Sequence, residues 1–250
     1  YKWLGRIPGG LAVATVVAST VLAAMVGVIG AAVVTMALVA LPSMLRRGYS
    51  PVLAVGTVMA GGTLGILIPP SVLAIVYGLV ANQSVGELYL GSVFPGLVLS
   101  GLYILFSVGY ALLNPKAAPR LSPEETPTWS ERWRALRSIW SPLVLIFLVL
   151  GTIFLGLAAP TEAAAIGAFG AMVVAAIHRR LSWTILRLAL EQTAKATAMV
   201  MWIVFGANAF VGFYIAQGGD RYVSELLLGT GLSPWGILLL MQGILIVLGM

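Results

Sequence analysis

Seven apolar segments follow one another along this chain of 250 residues, and several are long enough to cross a lipid bilayer as a helix. They lie at 9–45, 51–81, 91–113, 140–159, 161–178, 196–217 and 234–250. Sixty per cent of the residues are hydrophobic and 9% are charged, whereas a soluble domain is about half apolar and about a quarter charged. Because a soluble fold of this size cannot bury so much apolar surface, the pattern predicts an all-α polytopic membrane protein.

The residue inventory argues against an enzyme and against a bound cofactor. The sequence has no cysteine, and its single histidine, His178, cannot form a zinc or haem site alone. No span pairs a nucleophile with a base, and no phosphate-binding loop occurs. The net charge of +6 fits basic cytoplasmic loops better than nucleic-acid binding.

The basic residues predict the orientation in the membrane. If the linker 114–139 is cytoplasmic and the other loops alternate, Arg221 is the one basic residue outside. The residues then placed inside are Lys2, Arg6, Arg46, Arg47, Lys116, Arg120, Arg132, Arg134, Arg137, Arg179, Arg180, Arg187 and Lys195. The positive-inside rule therefore favours a cytoplasmic linker, with the Arg46–Arg47 and Arg179–Arg180 loops on the same side.

The first segment, 9–45, is flanked by basic residues at both ends, so it enters and leaves on one side. Two full spans or a re-entrant hairpin satisfy this condition. Its midpoint, AAMVGVIGAA (23–32), has no polar side chain, whereas turns in water favour Asn, Asp and Ser. The apolar turn with Gly27 and Gly30 favours a hairpin that stays within the protein.

The second segment, 51–81, crosses once but is too long for one helix, since its continuous length would be about 46 Å. GGTLGILIPPS (61–71) interrupts it, because Pro69 and Pro70 each lack an amide donor. We expect two half-helices, at about 51–61 and 71–81, joined by unwound backbone. Such backbone at membrane depth can hold Na⁺ and anionic substrates; a proline-kinked packing helix is the structural alternative.

Small and hydroxyl residues in this break supply candidate ligands. Gly61, Gly62 and Gly65 allow close approach and unusual dihedral angles, and Thr63 offers a hydroxyl oxygen. Ser71 offers a second one and can also cap the second half-helix, whose first amides favour a carboxylate.

Several separate motifs carry a resemblance to a known family. The sequence resembles the large membrane subunit of tripartite ATP-independent periplasmic (TRAP) transporters in LPSMLRRGYSP (41–51), GTLGILIPPS (62–71) and PTEAAAIGAFGA (160–171). Within this family, the sequence resembles the mannitol/chloroaromatic branch in particular, in GxxGAxxVTM (27–36) and GGDRYVSELL (218–227). The resemblance covers essentially the whole chain.

The resemblance implies a secondary carrier of the bacterial inner membrane, with inverted repeats, a re-entrant hairpin, a broken helix and an elevator mechanism. In this family Na⁺ drives uptake of an organic anion, a carboxylate, which a periplasmic binding protein delivers, and a small membrane subunit braces the large one. Carried over by position, the cation site comprises Gly27, Gly30, Gly61, Gly62, Thr63 and Pro69, and the substrate contacts are Gly65, Pro70 and Ser71.

The expected organisation has three parts. Residues 1–113 form the first-repeat transport elements, and 114–139 form the cytoplasmic linker with an amphipathic helix. Residues 140–250 form the second-repeat spans 140–159, 161–178 and 196–217, the cytoplasmic arm 181–195 and the first arm of a second hairpin, 234–250. The chain lacks an initiator Met and stops in an apolar run, so we expect a piece truncated at both ends.

Two smaller motifs give local expectations. PTEAAA places Thr161 and Glu162 at a helix start, where Thr can cap and Glu suits the helix dipole. Arg187 and Glu191 are spaced for an ion pair on the arm.

Departures from the family pattern keep a second hypothesis open. Met25, Val26, Ala32 and Ile66 stand where the branch usually has polar residues. If backbone oxygens coordinate the ion, the site survives with altered affinity; if side-chain oxygens do so, it is weakened or lost. A non-transporting membrane scaffold, or a degenerate permease, is therefore the alternative to a carrier.

Overall fold

The computed structural model describes residues 3–4, 7–119 and 129–248, with backbone alone at 131–132 and 134–139. Every regular element in these ranges is helical, which confirms the all-α prediction. The helices are α1 (Gly10–Val26), α2 (Ile29–Arg46), α3 (Pro51–Thr63), α4 (Val72–Ala81), α5 (Val85–Leu113), α6 (Trp129–Phe154), α7 (Pro160–Ile177), α8 (Trp183–Ala216), α9 (Gly219–Gly229) and α10 (Pro234–Leu248). A 3₁₀ turn, Leu64–Ile66, follows α3.

The helix lengths fit a polytopic membrane protein. Four helices, α2, α5, α7 and α8, are long and apolar enough to cross a bilayer. Shorter apolar helices lie before, between and after them in the sequence, including α1, α3, α4 and α10. The chain divides into two compact units, Tyr1–Arg180 and Leu181–Met250.

The first segment is a pair of packed helices joined by a turn of two residues. Helix α1 ends because Gly27 adopts a left-handed φ of 65°, and its amide donates to the Ala23 carbonyl at 3.2 Å. Val28 is extended, and α2 begins at Ile29. The turn therefore contains no polar side chain, and its polar groups are those of the main chain.

The second segment is interrupted where the glycines and prolines predict it. Helix α3 continues to Thr63, slightly further than expected, and the 3₁₀ turn then tightens the chain. Residues 67–71 are not helical, and α4 begins at Val72. Pro69 and Pro70 supply no amide hydrogen, so the main-chain ladder cannot continue through them.

Two glycines let the hairpin lie close against α3. A Cβ placed on Gly61 would lie 2.7 Å from the Ser19 Cβ of α1, and one on Gly62 would overlap the Val33 side chain of α2. Larger residues at these positions would push the helices apart. At the other end of the hairpin, the Leu11 amide donates to the Tyr49 hydroxyl at 3.2 Å.

Helices α6 and α7 form a neighbouring pair that corrects two expectations. The predicted amphipathic linker helix and the span 140–159 are one helix, which ends at Phe154 ahead of a turn with Gly156 at φ 69°. Thr161 does not cap α7: Ala159 occupies the N-cap, and the Glu162 carboxylate accepts from its amide at 2.8 Å. The glutamate thus satisfies the amide of the N-cap residue, as the glutamate of a capping box does.

The second unit contains α8, α9 and α10. The predicted arm 181–195 and span 196–217 are joined in the single helix α8, because no glycine or proline interrupts it before Gly206; this corrects the expectation of two elements. The exposed pair Arg187–Glu191 forms as predicted, at 2.8 Å. Helix α9 was not predicted from the sequence. Helix α10 covers the predicted apolar segment 234–250 through Leu248, and residues 249–250 lie outside the described part of the chain. Its assignment as the first arm of a second hairpin stays a prediction.

Candidate functional site

The hairpin turn meets the break in the second segment. The Val72 amide, the first of α4, donates to the Gly27 carbonyl at 3.3 Å. A Cβ placed on Gly27 would lie 2.5 Å from the Pro70 carbonyl oxygen, so that oxygen faces the turn. Gly65 lies beneath the turn, since its Cβ position is 3.5 Å from the Val28 carbonyl. Residues 27–28 and 65–72, which are far apart in sequence, therefore form one main-chain contact.

Ser71 holds the far end of the break. Its hydroxyl donates to the Ile66 carbonyl at 2.6 Å and accepts from the Ala74 amide at 3.4 Å. The residue is almost fully buried, and the predicted capping role is present in the structure. The Ser71 side chain thus bonds the two ends of the unwound stretch to each other and caps the start of α4.

Thr63 holds the near end of the break. Its hydroxyl donates to the Ala60 carbonyl at 2.7 Å and lies 3.3 Å from the Tyr103 hydroxyl of α5. Both contacts are within the protein, and they orient the last turn of α3.

Four main-chain oxygens of the break have no donor among the described hydrogen bonds. They belong to Leu67, Ile68, Pro69 and Pro70. An unpaired carbonyl away from water costs free energy, so such oxygens are expected to bind a ligand or water. Pro69 is fully buried, and the Pro70 oxygen is the one that faces Gly27.

The helix ends that converge here carry opposite partial charges. The carboxyl ends of α1 and of the 3₁₀ turn present partial negative charge, and the amino ends of α2 and α4 present partial positive charge. At α4 the amides of Val72, Ala74 and Ile75 are bonded to Gly27 or Ser71. The amide of Leu73 in α4 and the amides of residues 29–31 in α2 are left without a described acceptor, so the site presents free amides as well as free carbonyls.

The structure places the sequence-predicted residues in three different environments. Gly27, Gly65, Pro69, Pro70 and Ser71 come together at the turn and the break. Gly61 and Gly62 lie in the last turn of α3, where they contact the hairpin helices, and Thr63 has the partners given above. Gly30 is exposed in the first turn of α2, and its Cβ position has no neighbour within 4 Å, so no contact with the break is described for it.

Hydroxyl groups beside the site were missed in the sequence. Ser19 is fully buried, and its hydroxyl has no partner among the described residues. Thr20 lies 2.7 Å from the Ser100 hydroxyl, which links α1 to α5. Tyr89 of α5 donates to the Ser71 carbonyl at 3.3 Å. Isolated hydroxyls in apolar helices were the available signal, although their partners depend on tertiary contacts.

Comparison with known proteins identifies the family. The family model described as "Tripartite ATP-independent periplasmic transporter, DctM component" matches residues 1–250. The chain belongs to this family. The TRAP resemblance seen in the motifs is therefore confirmed, and its mannitol/chloroaromatic branch stays a prediction.

Three relatives of this TRAP permease chain illustrate the range of the family. It is 35% identical over 247 residues to the C4-dicarboxylate TRAP transporter large permease protein DctM of Pseudomonas aeruginosa, covering 98% of this chain and 57% of the relative. It is 32% identical over 209 residues to the ectoine TRAP transporter large permease protein TeaC of Halomonas elongata, covering 83% and 48%. It is 30% identical over 253 residues to the isethionate TRAP transporter permease protein DctMQ of Oleidesulfovibrio alaskensis, covering 99% and 39%. The chain thus spans between about two fifths and three fifths of these relatives.

Proposed function

We propose that this chain supplies a cation site of a Na⁺-coupled TRAP transporter, located between the hairpin turn and the break. The observation that carries the proposal is the hydrogen bond from Val72 to Gly27. It sets the turn against the break, where the Pro70 carbonyl oxygen faces Gly27, and the carbonyls of residues 67–69 likewise have no described donor. Broken helices of this kind present free carbonyls to cations in many secondary carriers.

The ligand set favours a monovalent cation. Neutral carbonyl oxygens hold Na⁺ or K⁺, whereas protein sites for Ca²⁺ and Mg²⁺ normally include carboxylates. Among the described residues, no group of three or more His, Cys, Asp or Glu side chains is placed to hold a metal ion. Because the ligands are main-chain atoms, the apolar residues Met25, Val26 and Ala32 leave these oxygens in place.

The transported molecule in this proposal is an organic anion. The relatives are named for C4-dicarboxylate, ectoine and isethionate, and each of these molecules carries a carboxylate or a sulfonate. The amino ends of α2 and α4, next to the carbonyl site, suit such a group, with Gly65, Pro70 and Ser71 as contacts. A cation bound alongside offsets the charge of the anion, which couples the two binding events.

The assembly in this proposal has three components. A periplasmic binding protein delivers the anion, and a small membrane subunit braces this chain in the bacterial inner membrane. The linker 114–139 and the basic loops face the cytoplasm, in accordance with the distribution of Lys and Arg. The hairpin and the broken helix move together across the bilayer in an elevator mechanism.

Uptake by the complete transport system in proteoliposomes tests this function. Radiolabelled C4-dicarboxylate, isethionate and ectoine are offered with an inward Na⁺ gradient, and with choline in place of Na⁺. Accumulation that requires Na⁺ supports the proposal. Accumulation at the same rate in choline contradicts Na⁺ coupling.

A non-transporting scaffold is the second candidate function, and the apolar turn favours it. Met25 is 48% exposed at the turn, where a polar residue is usual in the family branch. A scaffold predicts that the complete system accumulates none of the three substrates, although it assembles with its partners. Co-purification of the subunits together with absent uptake would select this function.

A further inference from the structure

One face of α5 follows the break along its whole length. Tyr103 contacts Thr63 at the near end, with 3.3 Å between the hydroxyl oxygens. Gly96 contacts Ile68 in the middle, because a Cβ on Gly96 would lie 2.8 Å from the Ile68 Cγ1. At the far end the Tyr89 hydroxyl donates to the carbonyl of residue 71 at 3.3 Å. Residues 89, 96 and 103 are spaced seven apart, about two helical turns, so they share one face.

Tyr89 is almost fully buried. It is 1% exposed, and its ring packs with Ile153 of α6 and Ala163 of α7. The hydroxyl is therefore held in an apolar environment, where the bond to the main-chain oxygen is stronger than in water. Helices α6 and α7 fix the ring, and the ring directs the hydroxyl at the break.

The bond from Tyr89 reaches the residue that joins the unwound backbone to α4. The Ser71 carbonyl also accepts from the Ile75 amide at 3.3 Å, and the Ser71 hydroxyl holds the Ile66 carbonyl. The peptide unit just before Ser71 carries the Pro70 oxygen that faces Gly27. Bonds on Ser71 therefore set the direction of the neighbouring carbonyl in the candidate site.

We propose that Tyr89 is a positioning residue for the cation site: it orients the break without touching the ion. Helix α5 serves as a template, by which we mean the helix face that holds the break in place. This inference rests on the proposed function, because it assumes that the break binds Na⁺. It predicts that loss of one hydroxyl weakens Na⁺ binding while the fold is kept. A merely structural tyrosine would instead change stability without changing the response to Na⁺.

The test compares two tyrosine variants in the complete, purified transport system. Tyr89→Phe removes the hydroxyl and keeps the packed ring, whereas the control Tyr77→Phe removes a hydroxyl from a side chain of α4 that is 57% exposed. The melting temperature is measured in detergent against NaCl, at constant ionic strength with choline chloride. The concentration of Na⁺ that gives half-maximal stabilisation is the readout.

For Tyr89→Phe we expect about a fivefold rise in that concentration, the factor for losing one hydrogen bond of ~1 kcal/mol. The melting temperature in choline stays close to that of wild type, and Tyr77→Phe behaves as wild type in both measurements. An unchanged Na⁺ concentration for Tyr89→Phe overturns the inference, whether or not the melting temperature in choline falls. A wild-type protein that Na⁺ does not stabilise overturns the proposed function itself, and the inference with it.

A second pair of variants tests the same template without altering a hydrogen bond. Gly96→Ala forces Ile68 to shift, whereas the control Gly101→Ala adds a methyl group to α5 where no atom lies within 4 Å. We expect the first to raise the half-stabilising Na⁺ concentration severalfold and the second to leave it unchanged. Equal values for the two variants count against α5 as the template, even if Tyr89→Phe does not accumulate in the membrane.

Discussion

The amide of Val72 donates a hydrogen bond to the carbonyl of Gly27, with 3.3 Å between nitrogen and oxygen. This bond joins the start of α4 to the turn between α1 and α2. It also places the Pro70 carbonyl next to a glycine that has no side chain to block it. The candidate cation site depends on this relationship, because the break supplies the unpaired carbonyl oxygens and the turn lies against one of them, that of Pro70.

Substitution of Gly27 tests the close contact directly. Gly27→Ala adds a Cβ at a φ of 65° and 2.5 Å from the Pro70 oxygen, so it strains the turn and displaces the break. Gly156→Ala is the matched control, since Gly156 has a φ of 69° and no neighbour within 4 Å. Each variant should lose about 1–2 kcal/mol through backbone strain. Thermal unfolding with and without Na⁺ should show that only Gly27→Ala loses stabilisation by the ion; retention of the effect argues against the site.

The packing of the hairpin on α3 depends on Gly61. Gly61→Ala places a methyl group 2.5 Å from the Ser19 hydroxyl oxygen, so we expect about 1–3 kcal/mol of destabilisation. Gly56→Ala, in the same helix with no atom within 4 Å, should be neutral or stabilising by up to ~1 kcal/mol. Melting temperatures of the two variants provide the comparison. A tolerated alanine at 61 would mean that the hairpin does not lie this close to α3.

Ser71 contributes more than a helix cap. Ser71→Ala removes the bond to the Ile66 carbonyl together with the cap of α4, and about 2 kcal/mol should be lost. Ser182→Ala removes only the exposed cap of α8, whose hydroxyl accepts from Ile185 at 3.3 Å, and should cost about half as much. The two melting temperatures are measured side by side. Equal losses would show that the bond within the break contributes nothing.

Tyr49 gives a pH dependence of stability at the base of the hairpin. Burial raises the pKa of its hydroxyl above the ordinary value near 10, although the Leu11 amide and the nearby Arg47 oppose this rise. Because the folded pKa exceeds the unfolded one, the contribution is fully present below about pH 10 and is lost as the pH rises through the folded pKa. Between about pH 9 and pH 11, on either side of the ordinary tyrosine pKa, Tyr49→Phe should therefore lose less stability than wild type.

The control for this prediction is Tyr222→Phe, which removes an exposed hydroxyl. Unfolding is followed at several pH values for the wild type and both variants. At neutral pH, Tyr49→Phe should be less stable by about 1 kcal/mol, since the Leu11 amide loses its acceptor. Parallel pH curves for wild type and Tyr49→Phe would contradict a buried, titrating hydroxyl.

The elements governed by local chemistry were predictable from the sequence. Gly27 ends α1, and the pair Pro69–Pro70 ends the ladder that follows α3, because each residue limits its own backbone. The Ser71 cap likewise depends on residues close in sequence. These three features define the turn and the break.

The remaining features depend on contacts that no local pattern encodes. Gly61 and Gly62 were assigned to a cation site, and their packing against α1 and α2 was not predicted, since a glycine can serve a ligand or a neighbouring helix equally well. Their part in the cation site stays a prediction. The role of Tyr89 depends on a partner 18 residues away and on packing from α6 and α7. Helix α9 was missed because its short, mixed sequence resembles a loop.

The location of the cation is the central claim, and anomalous scattering from thallium(I) tests it most directly. Crystals of the complete permease are prepared with a thallium(I) salt in place of sodium, and an anomalous difference map is calculated. The account predicts a peak between the Gly27 turn and the carbonyl oxygens of residues 67–70, which excess Na⁺ abolishes. A map with no peak there, or with Na⁺-sensitive peaks only elsewhere, would contradict it.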